Sequence, residues 1–216
     1  MTSLLGFANC IMRWRARALC DRLKPYLPLH GVIADIGSGT GHNAAEMQRR
    51  QMTLQQYDVA DLHWEGPPPR IFNGQQLPME DQSVDAAMLL YVLHYCECPV
   101  RILLESKRVS RGSILVLQTT CASSLVEWLL VVQEYLFGRL GYYLARRVGL
   151  VTCPVCPLVP KRYYQRGQWV ALFESAGFAV THLHSVAQLP WLLHSDLFVL
   201  RASVSGSYGS SVKESA

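Results

Sequence analysis

The sequence predicts an α/β domain built on a largely parallel sheet, and three observations carry that reading. Short apolar runs alternate with segments of helical spacing along most of the chain. The first run, VIADI, stops at the glycine-rich stretch GSGTG, and a helical segment follows at once. The third observation is size. A chain of 216 residues, half of them hydrophobic and 17% charged, suits one domain whose core needs neither disulfide nor metal.

The elements follow in order. Helical spacing over residues 11 to 27 puts Ile11, Trp14, Ala18, Leu19 and Leu23 on one side and arginines on the other, and Pro25 and Pro28 end that helix. Val32 to Ile36 reads as a buried strand. Asn43 to Arg50 reads as a helix with Ala44, Ala45 and Met47 inward, and Thr53 to Tyr57 as a second strand ending at Asp58. EGPPPR is a loop, since consecutive prolines fit neither a helix nor a central strand. Ile71 and Phe72 suit a short strand, Asn73-Gly74 a turn, and Val84 to Leu90 a buried strand. Pro99 to Val109 is a helix, Gly112 a turn and Ser113 to Thr119 a strand. Gln168 to Ala176 is a helix closed by Gly177, where a left-handed cap needs no side chain. Phe178 to His184 and Leu197 to Ala202 are the last two strands, and SVSGSYGSSVKESA has the composition of a disordered tail.

Charge and cysteine content narrow the setting. The formal net charge is +4, and arginines recur in short groups at 13, 15 and 17, at 49 and 50, and at 146 and 147. Such groups read first as solvated helix faces, with a nucleic-acid or anionic-lipid surface as the lesser reading. Seven cysteines are an odd number, and the apolar stretch LLGFANCIM has its arginines after it, unlike a secretory signal. Reduced thiols in a cytoplasmic protein are expected, with a mitochondrial transit peptide as a minor alternative because the first twenty residues hold arginines and no acid.

The glycine loop decides most of the chemistry. A strand ending in glycines before a helix offers backbone amides and a positive dipole end to a ligand. A triphosphate loop needs Lys-Ser or Lys-Thr after its last glycine, and His42-Asn43 stands there instead. A dinucleotide fingerprint fits only as Gly39, Gly41 and Ala44, a register that starts two residues after the strand has ended at Gly37. Asp35, just before the first glycine, suits an ammonium and would repel a pyrophosphate. Asp58 is placed to accept from a ribose diol, and Asn73 offers the donor and acceptor that an adenine edge requires. An amino-acid head, a ribose and an adenine together describe S-adenosylmethionine (SAM).

These motifs resemble, in order, those of the class I SAM-dependent methyltransferases, most closely the small-molecule branch called methyltransferase type 11. VIADIGSGTG is similar to the family's first motif and YDVAD to its second strand and ribose-binding acid. NGQQLPMEDQSVDAAMLLYVLHY resembles the run into the fourth strand, ESKRVSRGSILVLQ the following helix and fifth strand, and SAGF the turn before the sixth. The resemblance covers residues 20 to 120 well and 162 to 202 loosely. It departs from the family in two places: Asn73 replaces the more usual Asp, and the helix between the second and third strands shrinks to HWEGPPPR, which leaves one side of the pocket more open.

The resemblance implies a Rossmann-like, seven-stranded, mostly parallel sheet with helices on both faces and an antiparallel last strand. It implies one domain over residues 1–204, with 1–30 as an N-terminal helical cap, and a disordered tail over 205–216. It implies SAM held by Asp35, Gly37, Ser38, Gly39, Gly41, Asp58, Asn73, Gly74 and Leu90. Methyl transfer from a sulfonium is an in-line displacement driven mainly by positioning, so a base is needed only for an acceptor that must lose a proton. Tyr91 and His94, past the fourth strand, are the catalytic candidates as acceptor-orienting groups, and His63 is a weaker one. No Asn/Asp-Pro-Pro-Tyr or Pro-Cys signature follows the fourth strand, so the expected acceptor is a small molecule, at oxygen, nitrogen or carbon, with no nucleic acid partner.

Residues 121 to 165 form a helical insertion, SSLVEWLLVVQEYLFGRLGYYLARRVGLV at its centre, with too many charges for a membrane span. In this family an insertion here commonly roofs the acceptor site, and its apolar face implies a hydrophobic acceptor. A homodimer or membrane-surface contact through 123–150 stands beside that reading. Cys153 and Cys156 in CPVCP make half a zinc site, and no metal is expected. Two rival functions remain: a non-catalytic scaffold on the same fold, and an NAD-dependent reductase, against which Asp35 argues.

Overall fold

The computed structural model describes residues 2–28, 30–121, 124–133, 147, 161, 163–189 and 193–203. Seven strands form one mixed sheet in the order β3-β2-β1-β4-β5-β7-β6. They are β1 (Val32–Ile36), β2 (Thr53–Asp58), β3 (Arg70–Ile71), β4 (Ala86–Leu90), β5 (Ile114–Cys121), β6 (Phe178–Leu189) and β7 (Leu193–Ala202). β1 pairs in parallel with β2 and β4, β2 in parallel with β3, and β7 runs antiparallel to β6. Helices α1 (Thr2–Leu23), α2 (His42–Arg49), α3 (Pro99–Val109), α4 (Ser124–Gln133) and α5 (Arg166–Ser175) punctuate the strands, as the α/β alternation predicts. The strand order reverses between β1 and β4, the place in such sheets where ligands meet the carboxyl ends of strands.

Contacts divide the chain into two compact units, Met1–Met88 with Ser106–Ile114, and Leu89–Glu105 with Leu115–Ala216. In the first, β1 is apolar on both faces because it is a central parallel strand. Ile33, Ala34 and Ile36 are fully buried with Met47 of α2, Tyr57 of β2 and Leu77. Gly31 is required beside it: a Cβ there would lie 2.7 Å from the Asp85 carboxylate, which accepts from the Val32 amide at 2.8 Å.

α1 differs from its expected form in length and in face. It starts at Thr2 rather than near residue 11, since no proline interrupts the stretch and one glycine is tolerated in a helix. Of the expected apolar side Leu23 is buried, whereas Ile11 and Trp14 are exposed, and Ala16 and Cys20 complete the buried stripe. The small Ala16 and Cys20 let α1 approach α2 closely, and the Cys20 thiol reaches the Asn43 carbonyl at 3.8 Å. Ion pairs fasten the same junction: Arg50 holds Asp21 at 2.6 Å and Glu46 at 2.9 Å, while Arg13 holds Glu65 at 3.1 Å.

The second unit has an aromatic core. Trp169 and Phe173 of α5 stack with ring centroids 5.8 Å apart, Phe173 meets Phe198 of β7 edge-on at 5.0 Å, and Tyr164 meets Trp169 at 4.8 Å. α5 starts two residues earlier than its spacing implies because Gln165 and Gln168 form a reciprocal capping box. It closes at Gly177, with φ of 78°, as expected. β6 and β7 are longer than the apolar runs suggest, since their ten-residue ladder continues to Leu189 and Leu193. Most of the 121–165 insertion, Cys153 and Cys156, and the 205–216 tail lie outside the described residues. Among the described residues no helix is long and apolar enough to cross a membrane.

Candidate functional site

Asp35 is the penultimate residue of β1, opposite Gln56 of β2 and Met88 of β4 in the ladder. It is 1% exposed, and its Oδ2 is buried with no hydrogen-bond partner. Burial, together with the nearby Asp58 charge, pushes its pKa up to about 7. A sealed, unpartnered carboxylate oxygen is destabilising by itself, and a cationic ligand is what would satisfy it.

The chain then turns through Gly37, Ser38, Gly39, Thr40 and Gly41. Gly39 and Gly41 have φ of 56° and 80°, where a side chain is strained. They differ in surroundings. A Cβ on Gly41 would sit 2.1 Å from the Glu65 carbonyl, whereas one on Gly39 would meet nothing within 4 Å, so the open side of the loop is at Gly39. The amides of this loop are less available to a ligand than its glycines suggest. Gly37 and Ser38 donate to the Tyr57 carbonyl at 2.7 and 3.3 Å, and Gly39 donates to Asp58 Oδ2 at 2.8 Å.

Asp58 ends β2 and is buried. Its Oδ1 accepts from the Val59 amide at 2.7 Å, so each carboxylate oxygen holds one backbone donor and keeps a further lone pair. Asn73 follows β3, where Phe72 donates to the Asp58 carbonyl at 2.9 Å. Its side-chain oxygen caps its own turn, accepting from the amides of Gln75 and Gln76 at 2.9 Å each. That cap engages the oxygen and leaves the amide nitrogen as the outward donor of Asn73, and Gly74, with φ of 73°, brings the turn against Val59. Asp35, the glycine loop, Asp58 and Asn73-Gly74 thus come together in the first unit through β1, β2 and β3.

His63, the weaker catalytic candidate, instead latches the glycine loop. His63 Nε2 and Ser38 Oγ are 2.9 Å apart, and the amides of Trp64 and Glu65 donate to the Thr40 carbonyl at 3.0 and 3.2 Å. The segment HWEGPPPR, kept from helix by its prolines, packs against Gly41 instead. His42 at the start of α2 is buried between Thr40 Oγ1 at 2.9 Å and Asn9 of α1 at 2.5 Å. Burial holds its pKa below the ordinary histidine value.

In the second unit, Leu90 is buried at the end of β4, and Tyr91 follows with φ of 61°. A bulky residue in that conformation is strained and needs fixing by its surroundings. The Tyr91 amide donates to the Leu117 carbonyl at 2.7 Å and its hydroxyl to Ser195 at 3.1 Å. His94 is buried and stacked on Tyr163, with centroids 5.3 Å apart. Gln118 of β5 clamps its turn: two backbone donors, the amides of Leu93 at 2.9 Å and Val92 at 3.1 Å, require the side-chain oxygen on their side, which turns the amide nitrogen to donate to His94 Nδ1 at 2.8 Å. Burial lowers the His94 pKa, so the ring is neutral, and a ring accepting at Nδ1 carries its proton on Nε2. Gln118 was missed, although a lone amide in the apolar run ILVLQTT was its signal. Asp196, fully buried in β7 and held by Arg166 at 2.9 and 3.0 Å and by Thr120 at 2.9 Å, was missed because it lies ahead of the apolar run LFVL. Among the described residues no group of acids, histidines and cysteines is arranged to hold a metal.

Comparison with known proteins agrees with this fold. A family model described as a methyltransferase domain matches residues 11–183. A SAM-dependent methyltransferase structure from Methanosarcina mazei is 16% identical, with 84% of this chain and 97% of that one covered at a TM-score of 0.59. One from Aquifex aeolicus is 13% identical, with 87% and 97% covered at 0.56. The Burkholderia thailandensis 1,6-didemethyltoxoflavin-N1-methyltransferase, solved with bound 1,6-didemethyltoxoflavin and S-adenosylhomocysteine, is 15% identical, with 89% of this chain and 78% of that one covered at a TM-score of 0.56. No curated protein matches the chain in sequence.

Proposed function

We propose, from the premise that this chain belongs to the methyltransferase domain family, that it moves a methyl group from SAM to a small, hydrophobic acceptor. The unpartnered buried oxygen of Asp35 is the observation that carries the cofactor assignment. It calls for a cation near the open side of the loop at Gly39, and the amino-acid head of SAM brings an ammonium there. Asp58 has lone pairs left for the ribose hydroxyls, and the Asn73 amide nitrogen suits an acceptor on the adenine edge. A pyrophosphate in place of the amino acid would meet two carboxylates, which speaks against a nicotinamide dinucleotide.

SAM supplies the methyl group as an electrophilic carbon on a sulfonium. The chain's own task is to hold the acceptor atom in line with that carbon and to exclude water. Tyr91 and His94 are the residues assigned to the acceptor. Strain at Tyr91 is consistent with a side chain fixed for positioning. His94 acts as a neutral Nε2–H donor and not as a base, because its Nδ1 lone pair is engaged by Gln118. The proposal therefore favours an acceptor that needs no strong base.

The test is calorimetric binding of S-adenosylhomocysteine across pH. The ammonium prefers the ionised form of Asp35, so affinity is expected to rise as pH passes from 6 to 8 through the pKa of about 7. Asp35→Asn removes that rise and weakens binding on the order of tenfold or more. Equal affinity in the variant at every pH would remove Asp35 from the ligand site.

A further inference from the structure

The outward side of α1 takes no part in the chemistry above. Phe7, Ile11 and Trp14 are spaced i, i+4, i+7 and are 67%, 42% and 69% exposed, so they make one apolar ridge. It stands on the side of the helix opposite Ala16, Cys20 and Leu23. At about 100° per residue, Arg15 and Arg22 flank the ridge on one side and Arg17 on the other. Among the described residues Arg15 and Arg22 have no partner, and the Arg17 guanidinium reaches only Glu46, at 3.8 Å. Residues 2 to 20 hold no acid. Asp21, the one acid of the helix, is held by Arg50, and Arg13 by Glu65.

Tryptophan and phenylalanine outward with arginines along both flanks is the pattern of a helix lying in a bilayer interface. The rings enter the headgroup–acyl boundary and the guanidiniums meet lipid phosphates. A second copy of α1 is a poor occupant, because it would set one arginine flank against another. α4 also exposes Leu125, Trp128 and Leu129, but its sequence SLVEWLLVVQ holds an acid and no base, so charge does not select its partner.

We propose that α1 docks this protein on an anionic membrane surface, with Phe7, Ile11 and Trp14 inserted and Arg15, Arg17 and Arg22 on the phosphates. The docking is independent of the methyl-transfer reading, since none of these residues belongs to the cofactor or acceptor groups. The experiment is sedimentation of the full chain with vesicles of phosphatidylcholine alone and of equal phosphatidylcholine and phosphatidylglycerol. The chain should pellet with the anionic vesicles only, and less as salt is raised. Arg15→Gln with Arg22→Gln should lower the partition coefficient roughly thirtyfold. Phe7→Ser with Trp14→Ser should abolish pelleting, with thermal midpoints unchanged in both double variants. In the unaltered chain, tryptophan emission should shift to the blue on anionic vesicles, and Trp14→Phe should remove most of that shift. Three results would each overturn the proposal. They are no pelleting with anionic vesicles, equal pelleting with neutral ones, and a concentration-dependent dimer lost on replacing Phe7 and Trp14, which would give the ridge to a second copy.

Discussion

A carboxylate sealed from water holds on to its proton, and Asp35 shows what that does at the scale of one residue. In the unfolded chain it loses its proton near 3.8, but in the folded one it keeps it to about 7. Between those values the folded state binds more protons, so raising the pH through the window favours unfolding. The ligand-free protein should therefore lose stability from pH 4 to 7, on the order of a few kcal/mol from this group. Asp35→Asn should flatten that slope and make the ligand-free chain the more stable at neutral pH, measured by denaturant unfolding at pH 5 and 8. A steeper fall in the variant would contradict the burial argument. His94 gives a second residue-scale expectation: its ring should titrate below the ordinary histidine value and show the Nε2–H tautomer by NMR. A ring protonated at neutral pH would return it to general acid–base work. The placement of Asp35 and Asp58 at strand ends was legible in the sequence because an apolar run that stops at a glycine or an acid marks its own boundary. The Ser38–His63 bond and the Gln118 clamp were not, since each depends on where a loop or strand brings a residue over 20 positions away.

At the scale of elements, the loop between β2 and β3 does the work of the helix it lacks. Its carbonyl at Glu65 fills the space beside Gly41, so Gly41→Ala meets both a 2.1 Å contact and a left-handed φ. We expect that change to cost about 2–4 kcal/mol and to displace the loop, whereas Gly39→Ala, with open space around it, should fold better but weaken ligand binding. Thermal unfolding and calorimetry on the two variants separate these effects, and equal destabilisation would refute the latch. In the second unit, Asp196→Ala leaves the half-exposed Arg166 and buried Thr120 without their shared partner and should cost about 3–5 kcal/mol. Denaturant midpoints within error of the parent chain would show that pair to be idle. Strand interiors and the α5 terminator were legible because apolar runs and Gly177 are local signals. The face of α1 was not, since large apolar side chains at helical spacing drew the expectation away from the small Ala16 and Cys20 that do the packing. The outer halves of β6 and β7 were hidden for a related reason: polar residues such as Ser185 and Ser195 interrupt the apolar pattern there, and only pairing with each other extends them.

For the whole molecule, the sheet order with its reversal between β1 and β4 places the ends of β1, β2 and β3 as one cradle in the first unit, which is where Asp35, Asp58 and Asn73 converge. The seven-stranded, mostly parallel sheet with its antiparallel last strand was legible once several weak motifs fell in family order, while the acceptor was not, because no local motif in the chain marks it. The central claim is that this cradle holds SAM through its carboxylates. The direct measurement is calorimetric titration of the full chain with SAM, S-adenosylhomocysteine and NADH, alongside Asp58→Ala. The account predicts micromolar binding of the first two, none of NADH, and a loss on the order of a hundredfold or more in the variant, whose ribose contacts and Gly39 anchor go together. Binding of NADH in preference to the others, or SAM affinity untouched by Asp58→Ala, would contradict it.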